Sequence, residues 1–286
     1  MVLLVRFGEL ALKSRFVRRQ LRDRLVANIQ DLFAAEGVEC ITEADEARVY
    51  VHVEDIAKAH AILGRVFGVV SISPATEVHS DLDSLRKAVL SEASRALSPG
   101  QSFALRPRRV GTHPFTSQDL ARELGEAVRQ AHPDVRVNLT QPDVEIHVEV
   151  RRNRGFVFQE IWPGPGGLPL GSQGRALAVV QDEAGMVAAW MGMKRGCRIA
   201  VAMSDGEGLV EPLRKWDVRL KVLGLPADGN LGELVRIARA EAIFVGTRWE
   251  KFEPKDRTPL DVPIFEPVIG LRDEEIVRMA ARIRSA

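Results

Sequence analysis

Apolar positions recur along this chain in two rhythms, and the changes of rhythm divide it into blocks. Met1–Phe7 (MVLLVRF) is a short apolar run that predicts a strand. From Leu12 to Glu36, the residues Leu12, Phe16, Leu21, Leu25, Ile29, Leu32 and Phe33 recur at helical spacing, and Gly37 stands where a C-cap is expected. Strands are predicted at 38–42 and 48–53, the second alternating. A helix is predicted from a cap at Asp55 to Leu63, and a strand at 69–74. The order βαββαβ is a split-βαβ, ferredoxin-like pattern.

A second block opens at Asp81, the expected N-cap of a helix over 82–97 that Pro99-Gly100 ends. A strand is predicted at 102–107, and a helix from Thr116 or Ser117 to Ala131 that His132-Pro133 stops. Asp143–Val150 (DVEIHVEV) alternates strictly, and 155–161 pairs with it across an Asn153-Arg154-Gly155 turn. Trp162–Gly174 (WPGPGGLPLGSQG) holds five glycines and three prolines in 13 residues. That excludes a helix or a central strand and leaves a linker or a closely packed turn segment. Beyond Arg175, strand 176–180, helix 185–194 and strand 197–203 make a βαβ unit. Helices are predicted at 211–223, 231–240 and 273–283, and a buried-type strand at 242–246. Alternating β and α implies a parallel, Rossmann-like sheet. The expected organisation is thus multidomain, α+β then α/β, with blocks at 1–78, 79–162 and 176–286 and the Gly/Pro segment at 163–175.

Composition narrows the function. The chain has 286 residues, 45% hydrophobic and 28% charged, with a net charge of +1. The molecule is no polycation, so any nucleic-acid surface must be local. Arginine outnumbers lysine 32 to 8, which suits bidentate phosphate contacts and is equally the mark of a GC-rich genome. The basic residues gather in three places. Arg6, Lys13, Arg15, Arg18, Arg19, Arg22 and Arg24 crowd the start of the first helix, and Arg15, Arg18, Arg19 and Arg22 share one face. Arg106, Arg108 and Arg109 are expected on a loop, because Pro107 and Gly111 oppose a helix. Arg151, Arg152 and Arg154 mark the hairpin turn. Each cluster alone reads as a solvated face. Together they suggest RNA binding through the phosphate backbone and the A-form shape.

Little else carries chemistry. No two of the six histidines have metal-ligand spacing on one element, so His52 and His147 read as packed or exposed strand residues. The two cysteines, Cys40 and Cys197, form no CxxC. Cys197, beside Lys194 and Arg195, is the one thiol with a positive neighbourhood. No 18-residue apolar run or signal peptide is found, so no membrane partner and a cytoplasmic location are expected.

Four stretches resemble the ThiI-type tRNA 4-thiouridine synthetases, a family also tied to thiamine biosynthesis. Arg6–Lys13 (RFGELALK) is similar to the family opening RYGELALKG, and Gly164–Gly171 (GPGGLPLG) to its GPGGLPVG linker. Val187–Gly196 (VAAWMGMKRG) is similar to the VAAYLMMKRG helix, and Pro267–Gly270 with Glu274-Glu275-Ile276 to its PLIG…EEI end. The resemblance implies a ferredoxin-like domain, a THUMP domain and a PP-loop α/β domain. It further implies tRNA as partner near the acceptor stem, with Arg6, Lys13, Arg15, Arg18, Arg19, Arg151, Arg152 and Arg154 as contacts and Arg106, Arg108 and Arg109 foremost among them.

The departures lie in the third block. The family loop SGGIDS falls on Val180, Gln181, Asp182, Glu183, Ala184 and Gly185, with no glycine before Gly185. Asp182 and Glu183 stand where phosphate is expected, and two like charges about 4 Å apart repel by roughly 4 kcal/mol at an effective dielectric near 20. No cysteine lies between Ser204 and Ala286, and the family's GQVASQT run is missing. Two readings follow. In the first, the chain binds tRNA and its truncated PP-loop domain has lost ATP pyrophosphatase and sulfur-transfer chemistry, needs no cofactor and serves as a scaffold or homodimer platform, with a catalytic thiouridylase as partner. In the second, it remains a sulfurtransferase using ATP and magnesium, with Asp182 and Glu183 holding the metal or acting as acids or bases, Cys197 as a further catalytic candidate and a sulfur carrier as partner.

Overall fold

The structure, a computed structural model, describes residues 1–8, 14–204, 206–252 and 261–286. In chain order the first elements are β1 (Val2–Phe7), α1 (Arg15–Ala35), β2 (Ile41–Ala44), β3 (Val49–His52), α2 (Ile56–Leu63) and β4 (Val69–His79). Next come α3 (Leu82–Ala96), β5 (Ser102–Val110), α4 (Ser117–Ala131), β6 (Arg136–Val137), β7 (Val144–Arg151), β8 (Arg154–Phe158) and β9 (Trp162–Pro163). The last are β10 (Arg175–Val179), α5 (Glu183–Lys194), β11 (Arg198–Met203), α6 (Glu207–Arg214), β12 (Lys221–Gly224), α7 (Gly232–Ala238), β13 (Ala242–Val245), β14 (Ile264–Phe265) and α8 (Asp273–Arg284). The chain divides into two compact units. One comprises Met1–Val5, Tyr50–Ile56 and Ile72–Trp162, and the other Arg6–Val49, Ala57–Ser71 and Pro163–Ala286.

In the first unit the strands lie in the order β3-β1-β4-β8-β7-β5-β6. β5 and β7 are parallel, and β7 and β8 form the antiparallel hairpin. The strict alternation of β7 sorts its side chains by face. Val144, Ile146, Val148 and Val150 pack with Phe103, Leu105 and Val157 against Leu85 and Val89 of α3 and Leu120, Leu124 and Val128 of α4. The opposite set, Glu145, His147, Glu149 and Arg151, looks away from those helices. Thr116 and Asp119 form a reciprocal capping box that fixes where α4 begins.

The second unit carries a wholly parallel sheet in the order β12-β11-β10-β13-β14. Helices cover both faces. Residues of α5, α6 and α8 build one core with Val201 and Phe244, while Leu234 of α7 packs with Leu177, Ala200, Ala202 and Ile243 in another. The strand order reverses at β10, so its carboxyl end is the topological switch point where such sheets bind ligands. The loop 180–182 leads from that end into α5. Nearly every residue of α5 is buried, which an alanine-rich helix with small side chains allows.

Two expectations change. The helix predicted over 211–223 ends at Arg214, and Lys221–Gly224 is strand β12. Asp217 turns the chain there, its carboxylate accepting the Arg219 amide at 2.9 Å, and the edge position beside β11 captures the residues that follow. Arg106–Arg109 lie within β5 rather than on a loop, because β5 continues along β7 to Val110.

The Gly/Pro segment is a closely packed turn segment, held by backbone hydrogen bonds within the second unit. Gly164 and Gly166 donate to Val70 and Val69, Leu168 donates to Lys194, and Gly171 and Gln173 both donate to Gly196. A Cβ on Gly167, whose φ is +77°, would lie 2.2 Å from the Lys194 carbonyl oxygen. Gly167→Ala should therefore cost about 2 kcal/mol or more, read as a lowered urea midpoint at unchanged m-value.

Candidate nucleic-acid interface and the loop before α5

The arginines predicted to meet RNA fall into two groups once their partners are known. On β5, the Arg106 guanidinium donates to Glu145 Oε1 at 2.6 and 2.8 Å and to the Leu139 carbonyl at 2.9 Å, so it is engaged inside the sheet. Arg108 is exposed and has no ion pair among the described residues. Arg109, on the opposite side of the strand, donates to the Gly111 carbonyl at 2.8 Å. On the hairpin, Arg151 is only 8% exposed and pairs with Glu149 at 3.2 Å. Its place as a free phosphate contact is corrected, since the alternation of β7 that buries Val150 under the helices still leaves Arg151 enclosed by its neighbours. Arg152 is exposed at the turn with φ +54°. Arg154 grips Glu77 with two hydrogen bonds of 2.6 and 2.8 Å and lies 4.3 Å over the Tyr50 ring. That grip, aided by the guanidinium's charge and opposed by partial burial, holds the Glu77 carboxyl below the ordinary range.

In the second unit, Arg15, Arg18, Arg19 and Arg22 line one concavity of about 180 Å³ with Glu46, as their helical spacing requires. Arg22 lies 2.8 Å and Arg19 3.7 Å from Asp23. Arg15 and Arg18 have no ion pair among the described residues. Arg6 lies near the end of β1 and is engaged. Lys13 lies outside the described residues. The arginines of these clusters with free charge among the described residues are therefore Arg108 and Arg152 in one unit, and Arg15 and Arg18 in the other.

The loop between β10 and α5 has a self-contained electrostatic arrangement. Asp182 is the N-cap of α5, and its Oδ1 accepts the Gly185 amide at 2.8 Å. A carboxylate here satisfies an end-of-helix amide and complements the helix dipole, the two things a bound phosphate does at such a terminus. Glu183 pairs with Arg284 of α8 at 2.6 Å. Val180 is buried, its amide donating to Ala202, and Ala184 and Gly185 are buried as well, while Gln181 is exposed. Gly246, just past β13, packs on the same turn, and a Cβ there would lie 2.2 Å from the Gly185 nitrogen. The loop as built thus offers a nucleotide's phosphates neither loop glycines nor a free Gly185 amide, and it does not fit a triphosphate cradle.

Cys197 is not an activated thiol. Burial, then the nearby Glu241 charge, raise its pKa, and Arg195 only partly opposes them. The protonated form dominates at neutral pH, whereas a reactive cysteine needs a thiolate. Alkylation by iodoacetamide at pH 7 should be slower than for a free cysteine and should rise only as the pH passes 9. Alkylation at pH 7 as fast as for a free thiol would overturn this. Among the described residues no three His, Cys, Asp or Glu side chains gather to hold a metal. No helix there is long and apolar enough to cross a membrane.

A split-βαβ unit, a sheet backed by two helices with an arginine-bearing hairpin, and a Rossmann-ordered parallel sheet define a THUMP-containing, ThiI-like architecture. The THUMP domain model matches residues 79–159, and the ThiI ferredoxin-like domain model matches residues 2–73. The chain belongs to the ThiI-type tRNA 4-thiouridine synthetase family. A probable tRNA sulfurtransferase of Methanothermobacter thermautotrophicus is 35% identical over 77% of this chain. The match covers 58% of that protein, so this chain spans little more than half the length of that relative. The crystal structure of PH1313 from Pyrococcus horikoshii superposes with a TM-score of 0.87 at 26% identity over 99% of both chains. A 4-thiouridine synthetase–RNA complex with bound ATP shares the fold, with a TM-score of 0.80 at 19% identity over 99% of this chain and 84% of the other.

Proposed function

We propose that this chain binds tRNA near the acceptor stem through Arg108 and Arg152, together with the Arg15 and Arg18 face of α1. In this reading the C-terminal domain acts as a structural platform without ATP pyrophosphatase or sulfur-transfer activity of its own. The observation that carries the second half is the Asp182 carboxylate on the Gly185 amide, at 2.8 Å. It supplies from within the chain the negative charge that a nucleotide would otherwise bring. The first half is supported by Arg15, Arg18, Arg108 and Arg152, which no carboxylate neutralises among the described residues, and by relatives that are probable tRNA sulfurtransferases. The test pairs filter binding of whole tRNA across a salt series with calorimetry of ATP. Affinity should fall steeply with salt, and Arg108→Ala with Arg152→Ala should flatten the logarithmic slope by roughly 0.9 per lost phosphate contact. Salt-independent binding, or an unchanged slope, would sink the RNA half, and stoichiometric ATP binding would sink the other.

One observation favours a second reading, an active tRNA sulfurtransferase. The loop still stands at the switch point of a Rossmann-ordered sheet. Sulfur would then have to come from a carrier, since Cys197 lacks thiolate character. tRNA-stimulated release of pyrophosphate from ATP separates the readings, and no release above background would dismiss this one.

A further inference from the structure

The parallel sheet has a second end, opposite the switch point. There β10, β11 and β12 open on Arg175, Arg198 and Lys221. With Arg24 of α1, Arg219 and Arg239 after α7, these six cations line one cavity of about 780 Å³, in the size range of ligand sites. The single carboxylate in the lining is Glu241. Arg198 is held by the buried Asp217 at 3.0 Å and Arg219 by Asp31 at 2.5 Å. Arg24, Arg175, Lys221 and Arg239 are exposed and have no ion pair among the described residues. The arrangement opposes stability. Arg175 and Arg198 are register partners on adjacent strands, and like charges placed side by side on a sheet repel. Arg239 adopts φ +49°, a left-handed conformation that costs a side chain free energy. Apolar Ile199, Ala200 and Ile237 share the wall.

We propose that this cavity is an oligophosphate-binding site, separate from the tRNA contacts above. It takes several consecutive phosphate groups, either of an RNA backbone or of a free polyphosphorylated small molecule. Four unneutralised cations from α1, β10, β12 and the end of α7 converge on one space, and the ion pairs at Arg198 and Arg219 hold the remaining two guanidinium groups at its wall. A chain of phosphates spanning them relieves the mutual repulsion that the empty fold must bear. Arginine forks grip phosphate oxygens bidentately.

The test uses the full chain and a variant carrying Arg175→Gln, Lys221→Gln and Arg239→Gly. The last change suits the left-handed backbone, so the fold should survive, and a thermal melt checks this. Inorganic tripolyphosphate, titrated by calorimetry, should bind the parent and lose at least tenfold in affinity to the variant. Whole tRNA is titrated against both across a salt series. If the variant's logarithmic salt slope falls by about 2 to 3, at roughly 0.9 per lost contact, the phosphates are those of RNA. If tRNA binding is unchanged while tripolyphosphate binding is lost, the ligand is a small polyphosphate. Equal tripolyphosphate binding by parent and folded variant, or none by the parent with no change in tRNA slope, overturns the proposal. Neither result bears on Arg108 and Arg152, which stay intact in both proteins.

Discussion

Gly246→Ala should destabilise the second unit by about 3 kcal/mol or more, a drop in melting temperature on the order of 6–12 °C. Gly246 follows β13, and its Cα presses on the first turn of α5. An added Cβ would lie 2.2 Å from the Gly185 nitrogen, 2.4 Å from the Ala184 carbonyl carbon and 2.7 Å from the Gly185 Cα. All three are backbone atoms, so no rotamer change relieves the overlap. Nor can the helix retreat, since a Cβ on Gly185 would itself lie 2.7 Å from the Val179 carbonyl oxygen. Two glycines on different elements thus bring two backbones together where the family's loop would hold phosphate. Gly208→Ala is the control. It sits in α6 with nothing within 4 Å of the new methyl, and it should be neutral or stabilise by about 0.5–1 kcal/mol. Scanning calorimetry of both variants decides the point, and a Gly246→Ala melt within 2 °C of the parent would refute it.

The same loop marks the limit of what the sequence discloses. The lost glycines of 180–185 are legible, and so is the awkwardness of Asp182 and Glu183 beside a phosphate. Their actual partners are not. The Gly185 amide is three residues from Asp182 and follows from N-cap chemistry, but Arg284 lies a hundred residues beyond Glu183 and only the packing of α8 on α5 brings it there. The arginines tell the same story. Spacing alone put Arg15, Arg18, Arg19 and Arg22 on one helical face, because a helix is a local rule. The neutralisation of Arg106 by Glu145 and of Arg154 by Glu77 depends on strand register, which pairs residues 39 and 77 apart. Arg151, expected on the turn, instead closes β7: it pairs with Arg154 across a two-residue Arg152-Asn153 turn and is buried. β12 is not legible in the sequence because its four residues lie on a sheet edge, too few for periodicity to separate from a continuing helix. The row of Arg175, Arg198 and Lys221 is hidden in the sequence for another reason. Its members are 23 residues apart, and only a parallel register turns that spacing into adjacency.

Trp216→Ala should cost the second unit about 4 kcal/mol, within the 3–5 kcal/mol expected for removing a buried tryptophan. Trp216 is 3% exposed. Its ring stacks on Phe67 with centroids 5.0 Å apart and meets Trp190 of α5 edge-on at 5.3 Å, and its Nε1 donates to the Ile283 carbonyl at 3.3 Å. Truncation removes all three interactions and leaves a buried carbonyl without its donor. Trp216→Phe keeps a ring in the cluster and should lose roughly half as much. Urea unfolding followed by far-ultraviolet circular dichroism measures both, and a loss below about 1 kcal/mol for Trp216→Ala would contradict the assignment. The consequence reaches past stability. Phe67 comes from the stretch before β4, and Asn28 of α1 donates to the Leu170 carbonyl at 3.1 Å in the same unit. The C-terminal sheet domain is therefore tied to α1, the helix that carries Arg15, Arg18 and Arg19, by this hydrogen bond and by the Arg219–Asp31 ion pair. Under the proposed reading, these ties give the C-terminal domain a role without nucleotide chemistry, since losing them would loosen the helix proposed to meet RNA. Weakening of tRNA binding by Trp216→Ala, in step with unfolding and at a site with no phosphate contact, is the expected sign of that dependence.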